Sequence, residues 1–159
     1  FSPAQIADVR NRVVRIFTFS KAYGMTGWRV GYLHSAARNV QEILKVHDAL
    51  VTCAPVVSQY AALAALEDDE HVRATRANNT EGLRFFENAF AEMNIETVPS
   101  HANFILAKVG EGQAMFEQLQ QHGIITRAMG GYGLPEWIRI SIGTPLENGR
   151  CLAALSDLR

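Results

Sequence analysis

A run of β-branched and aromatic residues near the start of the chain most constrains its possible folds. Residues 13–19 read Val-Val-Arg-Ile-Phe-Thr-Phe, with little alternation between apolar and polar positions. Such a run is typical of a strand that is covered on both faces, as in a parallel sheet. Because helical and strand patterns alternate along the rest of the chain, the sequence predicts an α/β fold.

The periodicity of apolar residues predicts where the other elements lie. Helical spacing indicates a short helix over residues 2–9 and longer helices over 36–51, 57–66, 67–93, 113–122 and from Pro145 onward. Extended segments are expected over residues 30–33, 102–109, 124–127 and 137–142. His47 falls on the apolar stripe of its helix, so we expect a buried, hydrogen-bonded histidine there. The pattern predicts an α/β layer first and a smaller α+β unit after about residue 70.

Composition excludes several classes of function. A net charge of −1 provides no basic field for nucleic acid or an anionic membrane. The longest apolar runs are too short to span a bilayer. Cys53 and Cys151 are far apart without metal-site spacing, and we interpret them as reduced cytosolic thiols. The chain starts at Phe1 without an initiator methionine or a targeting pattern, so we expect it to be cut from a longer protein.

The segment that follows the first strand carries reactive chemistry. Two hydroxyls, Thr18 and Ser20, precede Lys21, and Arg29 lies eight residues further on. A lysine just past a buried strand can lose part of its hydration, which favours the nucleophilic amine that forms a Schiff base with a carbonyl. The hydroxyls and the fixed charge of Arg29 suit a phosphate dianion. From residue chemistry alone, a solvated loop lysine, a surface ion pair and ordinary turn residues remain open alternatives.

Residues 137–142 alternate cleanly between apolar and polar positions. Ile138, Ile140 and Ile142 share one face of the expected strand, and Arg139 lies on the other. Arg139 is therefore predicted to point away from the packed face, where it is either a ligand-binding or an exposed arginine. Arg127 is as consistent with a solvated edge position as with a ligand contact.

The segment around Lys21 resembles a known signature. It matches Ser/Thr-x-Ser-Lys-x-x-Gly-x-x-Gly-x-Arg-x-Gly-Tyr, which surrounds the cofactor lysine of fold-type I pyridoxal-phosphate-dependent aminotransferases, at every position. Residues 102–106, Ala-Asn-Phe-Ile-Leu, are similar to a strand of that family's small domain. Residues 131–135 and 138–144 are similar to the histidinol-phosphate aminotransferase branch. The resemblance covers essentially all 159 residues.

The resemblance implies roles for individual residues. Lys21 would carry pyridoxal 5'-phosphate and act as general base and acid. Thr18, Ser20 and Arg29 would bind the cofactor phosphate, and Arg139 and Arg127 would bind the substrate. No metal is implied. The implied fold is the C-terminal part of the pyridoxal-phosphate-dependent transferase fold. Residues 1–68 would be the remnant of the large-domain sheet, and residues 69–159 a small α+β domain entered through a long helix.

The resemblance also implies an activity. Histidinol phosphate and 2-oxoglutarate would exchange an amino group in histidine biosynthesis, catalysed by a cytoplasmic homodimer. An aromatic-amino-acid aminotransferase or a threonine-phosphate decarboxylase on the same scaffold is an alternative, as is the sensing domain of a transcription regulator. In this family, the aspartate, tyrosine and asparagine that bind the cofactor ring, a stacking aromatic residue and a phosphate-binding helix all precede the segment corresponding to Phe1. The chain alone is therefore expected to be a poor catalyst.

Overall fold

The computed structural model describes residues 3–6 and 9–159, and the chain divides into two compact units, Phe1–Val72 and Arg73–Arg159. The long helix α3 (Asp69–Glu92) begins in the first unit and continues into the second. The expected domain boundary between residues 68 and 69 coincides with the start of this helix, whereas the compact units divide after Val72. The assignment of residues 1–68 and 69–159 to a large and a small domain stays a prediction.

The first unit contains a two-stranded antiparallel sheet and two helices. Its elements are β1 (Arg15–Thr18), β2 (Gly31–His34), α1 (Ala37–Leu50) and α2 (Val56–Leu66). A small core of Phe19, Met25 and Ala62 lies under the connection between the two strands. Gly31 is required where the strands pair, because a Cβ there would lie 2.5 Å from the carbonyl oxygen of Phe17.

Two expectations for this unit are wrong. The sequence predicts a first strand covered on both faces, as in a parallel sheet, but within the described residues β1 pairs antiparallel with β2, and Ile16 is 81% exposed. Composition indicates a preference for burial but does not identify the neighbouring strand. His47 is exposed on α1, 3.5 Å from Asp48 Oδ1, because no described element covers its stripe. The expected helix over residues 2–9 falls partly outside the described residues, and Pro3–Gln5 forms a single 3-10 turn.

The second unit is a four-stranded antiparallel sheet with helices. Its strands follow the order β3, β4, β6, β5, so that β6 lies in the interior of the sheet. The elements after α3 are β3 (Thr97–Val98), β4 (Phe104–Lys108), α4 (Gly112–Gln121), β5 (Arg127–Ala128), β6 (Trp137–Ser141) and α5 (Pro145–Asp157). The sequence predicts each of these except β3, whose two residues are too few to show a period.

One hydrophobic core lies beneath this sheet. Its fully buried side chains come from α3, α4, α5 and the inner faces of β4 and β6, and they are Phe86, Phe90, Ile105, Leu119, Ile138 and Leu155. This core fixes the position of β6. It therefore also fixes the backbone of those β6 residues whose side chains lie on the opposite face of the strand. Among the described helices, none is both long enough and apolar enough to cross a membrane.

Candidate active site

Lys21 lies on a short turn directly after β1. The turn is closed by hydrogen bonds from Gly24 N to Lys21 O (3.1 Å) and from Met25 N to Phe19 O (3.2 Å). Phe19 and Met25 are both buried, so the two ends of the turn are anchored in the core of the first unit. Lys21 itself is exposed, and the expected loss of hydration by its amine is not found among the described residues. The turn therefore presents an accessible primary amine on an anchored backbone.

The two hydroxyls before Lys21 form a local network. Thr18 Oγ1 donates to Ser20 Oγ at 2.8 Å and accepts from the Ser20 backbone N–H at 3.1 Å. Since Ser20 Oγ accepts from Thr18, its own proton remains available to an acceptor outside the pair. The pair therefore offers a hydroxyl donor beside the lysine turn, and its binding of a phosphate stays a prediction.

Arg29 is tied to the same turn through a residue that the sequence did not single out. Thr26 Oγ1 donates to Ser20 O at 2.8 Å, and Arg29 Nη1 donates to Thr26 O at 3.0 Å. This chain of hydrogen bonds links Arg29 to the hydroxyl pair and leaves most of the guanidinium donors without a partner among the described residues. The Arg29 backbone has φ 51°, a left-handed conformation that is uncommon for residues other than glycine.

His71 also lies beside this turn without a signal in the sequence. A Cβ placed on Gly24 would be 3.9 Å from His71 Nε2, so the imidazole packs near the glycine. The spacing of fifty residues between Lys21 and His71 carries no motif. Only the fold brings His71 to this position.

Arg139 is presented by β6 in the second unit. Its neighbours Ile138 and Ile140 are buried in the core, and Arg139 lies on the opposite face, as predicted. Its guanidinium carbon lies 5.2 Å from the centre of the Phe104 ring, a cation–π distance. Arg139 Nε is buried without a hydrogen-bond partner among the described residues. A stacked guanidinium with an unused donor is poised to bind an acceptor.

Arg127 lies directly opposite Arg139 on the neighbouring strand β5. The register pairs the two Cα atoms, so both side chains lie on the same face of the sheet. Arg127 Nη1 is 3.4 Å from Tyr132 Oη. Within the described part of the chain, neither arginine has a carboxylate partner. Two guanidinium groups on one face of the sheet, without a carboxylate partner among the described residues, have the charge and the donors that suit an anion.

Asn103 and the two cysteines have more ordinary surroundings. Asn103 is exposed, and its carbonyl accepts from Ile142 N at 2.9 Å, which continues the pairing of β4 with β6. Burial raises the pKa of the Cys151 thiol to about 11, whereas Cys53 is exposed. Among the residues described, no cluster of three or more His, Cys, Asp or Glu side chains is placed to hold a metal ion.

Comparison with known proteins relates the chain to one family. The sequence profile described as "Aminotransferase class I and II" matches residues 3–155. A histidinol-phosphate aminotransferase of Akkermansia muciniphila is 50% identical over 159 aligned positions, which cover 96% of this chain and 41% of that protein. Histidinol-phosphate aminotransferase 2 of Ralstonia nicotianae is 40% identical, over 88% of this chain and 38% of its own length.

A solved structure shares the fold. The aspartate aminotransferase of Thermotoga maritima superposes with a TM-score of 0.82 at 29% identity, over 93% of this chain and 40% of that one. The chain thus spans about two fifths of the length of the proteins that it matches. The expected resemblance is confirmed in both sequence and fold.

Proposed function

The chain belongs to the class I and II aminotransferase family, whose members use pyridoxal phosphate, and we propose that it is the C-terminal part of a histidinol-phosphate aminotransferase. Such an enzyme converts L-histidinol phosphate and 2-oxoglutarate to imidazole acetol phosphate and L-glutamate. The observation that carries this proposal is the directly opposed pair Arg127 and Arg139. Two guanidinium groups without a carboxylate partner match a phosphate dianion better than a single carboxylate. The names of the two histidinol-phosphate aminotransferases to which the chain is similar support the same substrate.

The residues around Lys21 fit the cofactor of this family. The turn offers an accessible amine for an aldehyde, and the Ser20 hydroxyl and the free donors of Arg29 suit a phosphate group. We propose that Lys21 Nζ holds the cofactor covalently, while Thr18, Ser20 and Arg29 bind its phosphate. Pyridoxal phosphate, when bound, supplies the electron sink that makes the substrate Cα proton labile.

The proposed chemistry assigns each residue a task. Once the substrate amine has displaced it from the cofactor, the free Lys21 amine would take up the proton that the substrate Cα loses, as general base, and would later donate it, as general acid. Arg139 fixes the anionic end of the substrate, because its guanidinium is oriented by the Phe104 ring. Arg127, whose side chain is steadied by Tyr132, adds the second charge that a phosphate needs.

The same proposal extends to the complete enzyme. We expect it to be a cytoplasmic homodimer, as in the family that the sequence resembles. Light scattering coupled to size-exclusion chromatography would test the dimer. A monomer that is fully active at its measured concentration would contradict it.

A comparison of substrates tests the proposed activity. For the full-length enzyme with 2-oxoglutarate, we expect kcat/KM for histidinol phosphate to exceed that for phenylalanine by roughly a hundredfold, because a site built for a phosphate leaves charges unpaired with other ligands. Arg127→Gln should remove most of this preference, and the exposed Arg84→Gln should keep it. A preference for phenylalanine would indicate an aromatic-amino-acid aminotransferase instead. Release of CO₂ from threonine phosphate would indicate a decarboxylase, and specific DNA binding would indicate the sensing domain of a transcription regulator.

A further inference from the structure

An apolar cavity of about 380 Å³ opens on the outer face of β4 in the second unit. It is shaped by the loop between β3 and β4 and by the outward residues of β4. Its apolar walls and one imidazole come from Val98, Pro99, His101, Ala102, Phe104 and Leu106. The volume lies within the range of cavities that bind small organic groups.

Hydrogen bonds hold the loop wall of this cavity in place. Ser100 Oγ donates to Phe104 O at 2.6 Å and accepts from Ala102 N at 3.1 Å. Asn79 Nδ2, from α3, donates to Ala102 O at 3.1 Å. The loop is thus held at Ser100 and Ala102 and tied to the first residue of β4, so the cavity exists before any ligand arrives. A preformed cavity binds without the entropic cost of ordering its walls.

The cavity adjoins the arginine pair. Phe104 lines the cavity, and its ring is the one that lies 5.2 Å from the Arg139 guanidinium carbon. Leu106, also in the wall, lies directly opposite Arg139 in the register of β4 and β6. An apolar recess and a pair of cations therefore share one face of the sheet, joined through Phe104.

We propose that this cavity binds the aromatic or heteroaromatic ring of a substrate whose anionic group is held by Arg127 and Arg139. The proposal rests on the proposed function and adds a position for the ring. Apolar walls suit the faces of a planar ring, and His101 offers a hydrogen bond to a ring nitrogen. The ringless partners, 2-oxoglutarate and glutamate, would use the arginines and leave the cavity vacant.

Binding of two probes to the full-length enzyme tests this position. We expect the enzyme to bind 2-phenylethyl phosphate with about tenfold higher affinity than ethyl phosphate, as measured by isothermal titration calorimetry, because only 2-phenylethyl phosphate fills the cavity. Ala102→Leu, which occupies the space, should abolish the difference, whereas Ala91→Leu on the exposed face of α3 should preserve it. Equal affinities in the parent enzyme would overturn the cavity proposal while leaving the arginine pair in place. Binding of neither phosphate would overturn the role of the arginines as well.

Kinetics of the two half-reactions provide a second readout. His101→Ala should raise KM for ring-bearing amino donors about fivefold or more and leave KM for glutamate within a factor of two. His122→Ala, at the exposed end of α4, is the matched control. An equal effect on both donors, or a lowered melting temperature with unchanged kinetics, would show that the cavity does not bind the ring and overturn the proposal.

Discussion

Two arginines directly opposite one another on neighbouring strands are unfavourable in an isolated sheet, because like charges on such a pair repel. Arg127 and Arg139 nevertheless occupy these positions with no carboxylate partner among the described residues, and Arg139 Nε lies buried without an acceptor. Stacking on Phe104 offsets part of the cost. The remaining cost is relieved when an anion binds, which is why we assign the pair to the substrate.

At the residue scale, Arg29 allows a direct test of the proposed phosphate site. Arg29→Gln removes a charge-assisted contact worth about 2 kcal/mol, and should raise the dissociation constant of pyridoxal phosphate for the full-length enzyme roughly thirtyfold. Absorbance titration of the cofactor-free enzyme measures this constant. Arg84→Gln, another exposed arginine, should leave it unchanged. Equal cofactor affinity in Arg29→Gln and the parent enzyme would remove Arg29 from the site.

At the scale of single elements, helix α5 is stabilised by a capping box at its start. Thr144 Oγ1 accepts from Glu147 N at 3.4 Å, while the Glu147 carboxylate accepts from Thr144 N at 2.7 Å. The cap matters to the site because α5 supplies Leu155 to the core beneath β6. Loss of the cap should therefore weaken the support of the strand that carries Arg139.

Replacing Thr144 tests the cap. Thr144→Ala should lower the free energy of unfolding by about 1 kcal/mol, since it leaves a helix N–H without its acceptor. Ser156→Ala, an exposed position near the other end of α5, should change it far less. Urea denaturation followed by circular dichroism measures both. Equal stability of the two variants would mean that solvent satisfies the helix end as well as Thr144 does.

The same cap predicts a dependence on pH. The backbone hydrogen bond from Thr144, followed by that from its side chain, lowers the pKa of Glu147 from its ordinary value. A carboxyl group whose pKa is lower in the folded state stabilises that state above its unfolded pKa, and this contribution is lost as pH falls through the folded pKa. In Glu147→Gln, the free energy of unfolding should therefore fall less steeply as pH is lowered into the acid range. An unchanged acid limb would contradict this.

Patterns along the chain predicted the elements of the second unit well, because the inward residues of β4, β6 and α5 recur with the period of their own element. They also predicted the outward orientation of Arg139. They did not predict the pairing of Arg127 with Arg139 or the position of His71 beside Gly24, because register and tertiary contacts join residues far apart in sequence. The buried strand expected at residues 13–19 was wrong for a related reason: burial depends on partners that a local pattern does not specify.

At the scale of the whole molecule, the two units differ in how well they are packed. The second unit has a continuous core, whereas α2 in the first exposes Val56, Val57, Tyr60, Leu63 and Leu66. Contiguous exposed apolar side chains mark a surface that normally contacts another part of a protein. This agrees with a chain that spans about two fifths of its relatives' length.

The isolated chain is therefore expected to be a poor enzyme. We predict that residues 1–159 alone transaminate histidinol phosphate at less than about a thousandth of the full-length rate, because the chain spans only about two fifths of the length of its relatives. Coupled detection of glutamate measures both rates. Circular dichroism of the same sample checks that the chain is folded. Comparable turnover by the folded fragment would contradict the assignment of a partial site.

The proposed chemistry depends on the amine of Lys21, and chemical trapping shows whether this amine binds the cofactor. Full-length enzyme is incubated with pyridoxal phosphate, reduced with borohydride, digested and analysed by mass spectrometry. We expect a stable phosphopyridoxyl group on Lys21, its loss in Lys21→Arg, and its retention in the exposed control Lys45→Arg. A label on Lys45 or Lys108, or on no lysine of this chain, would contradict it.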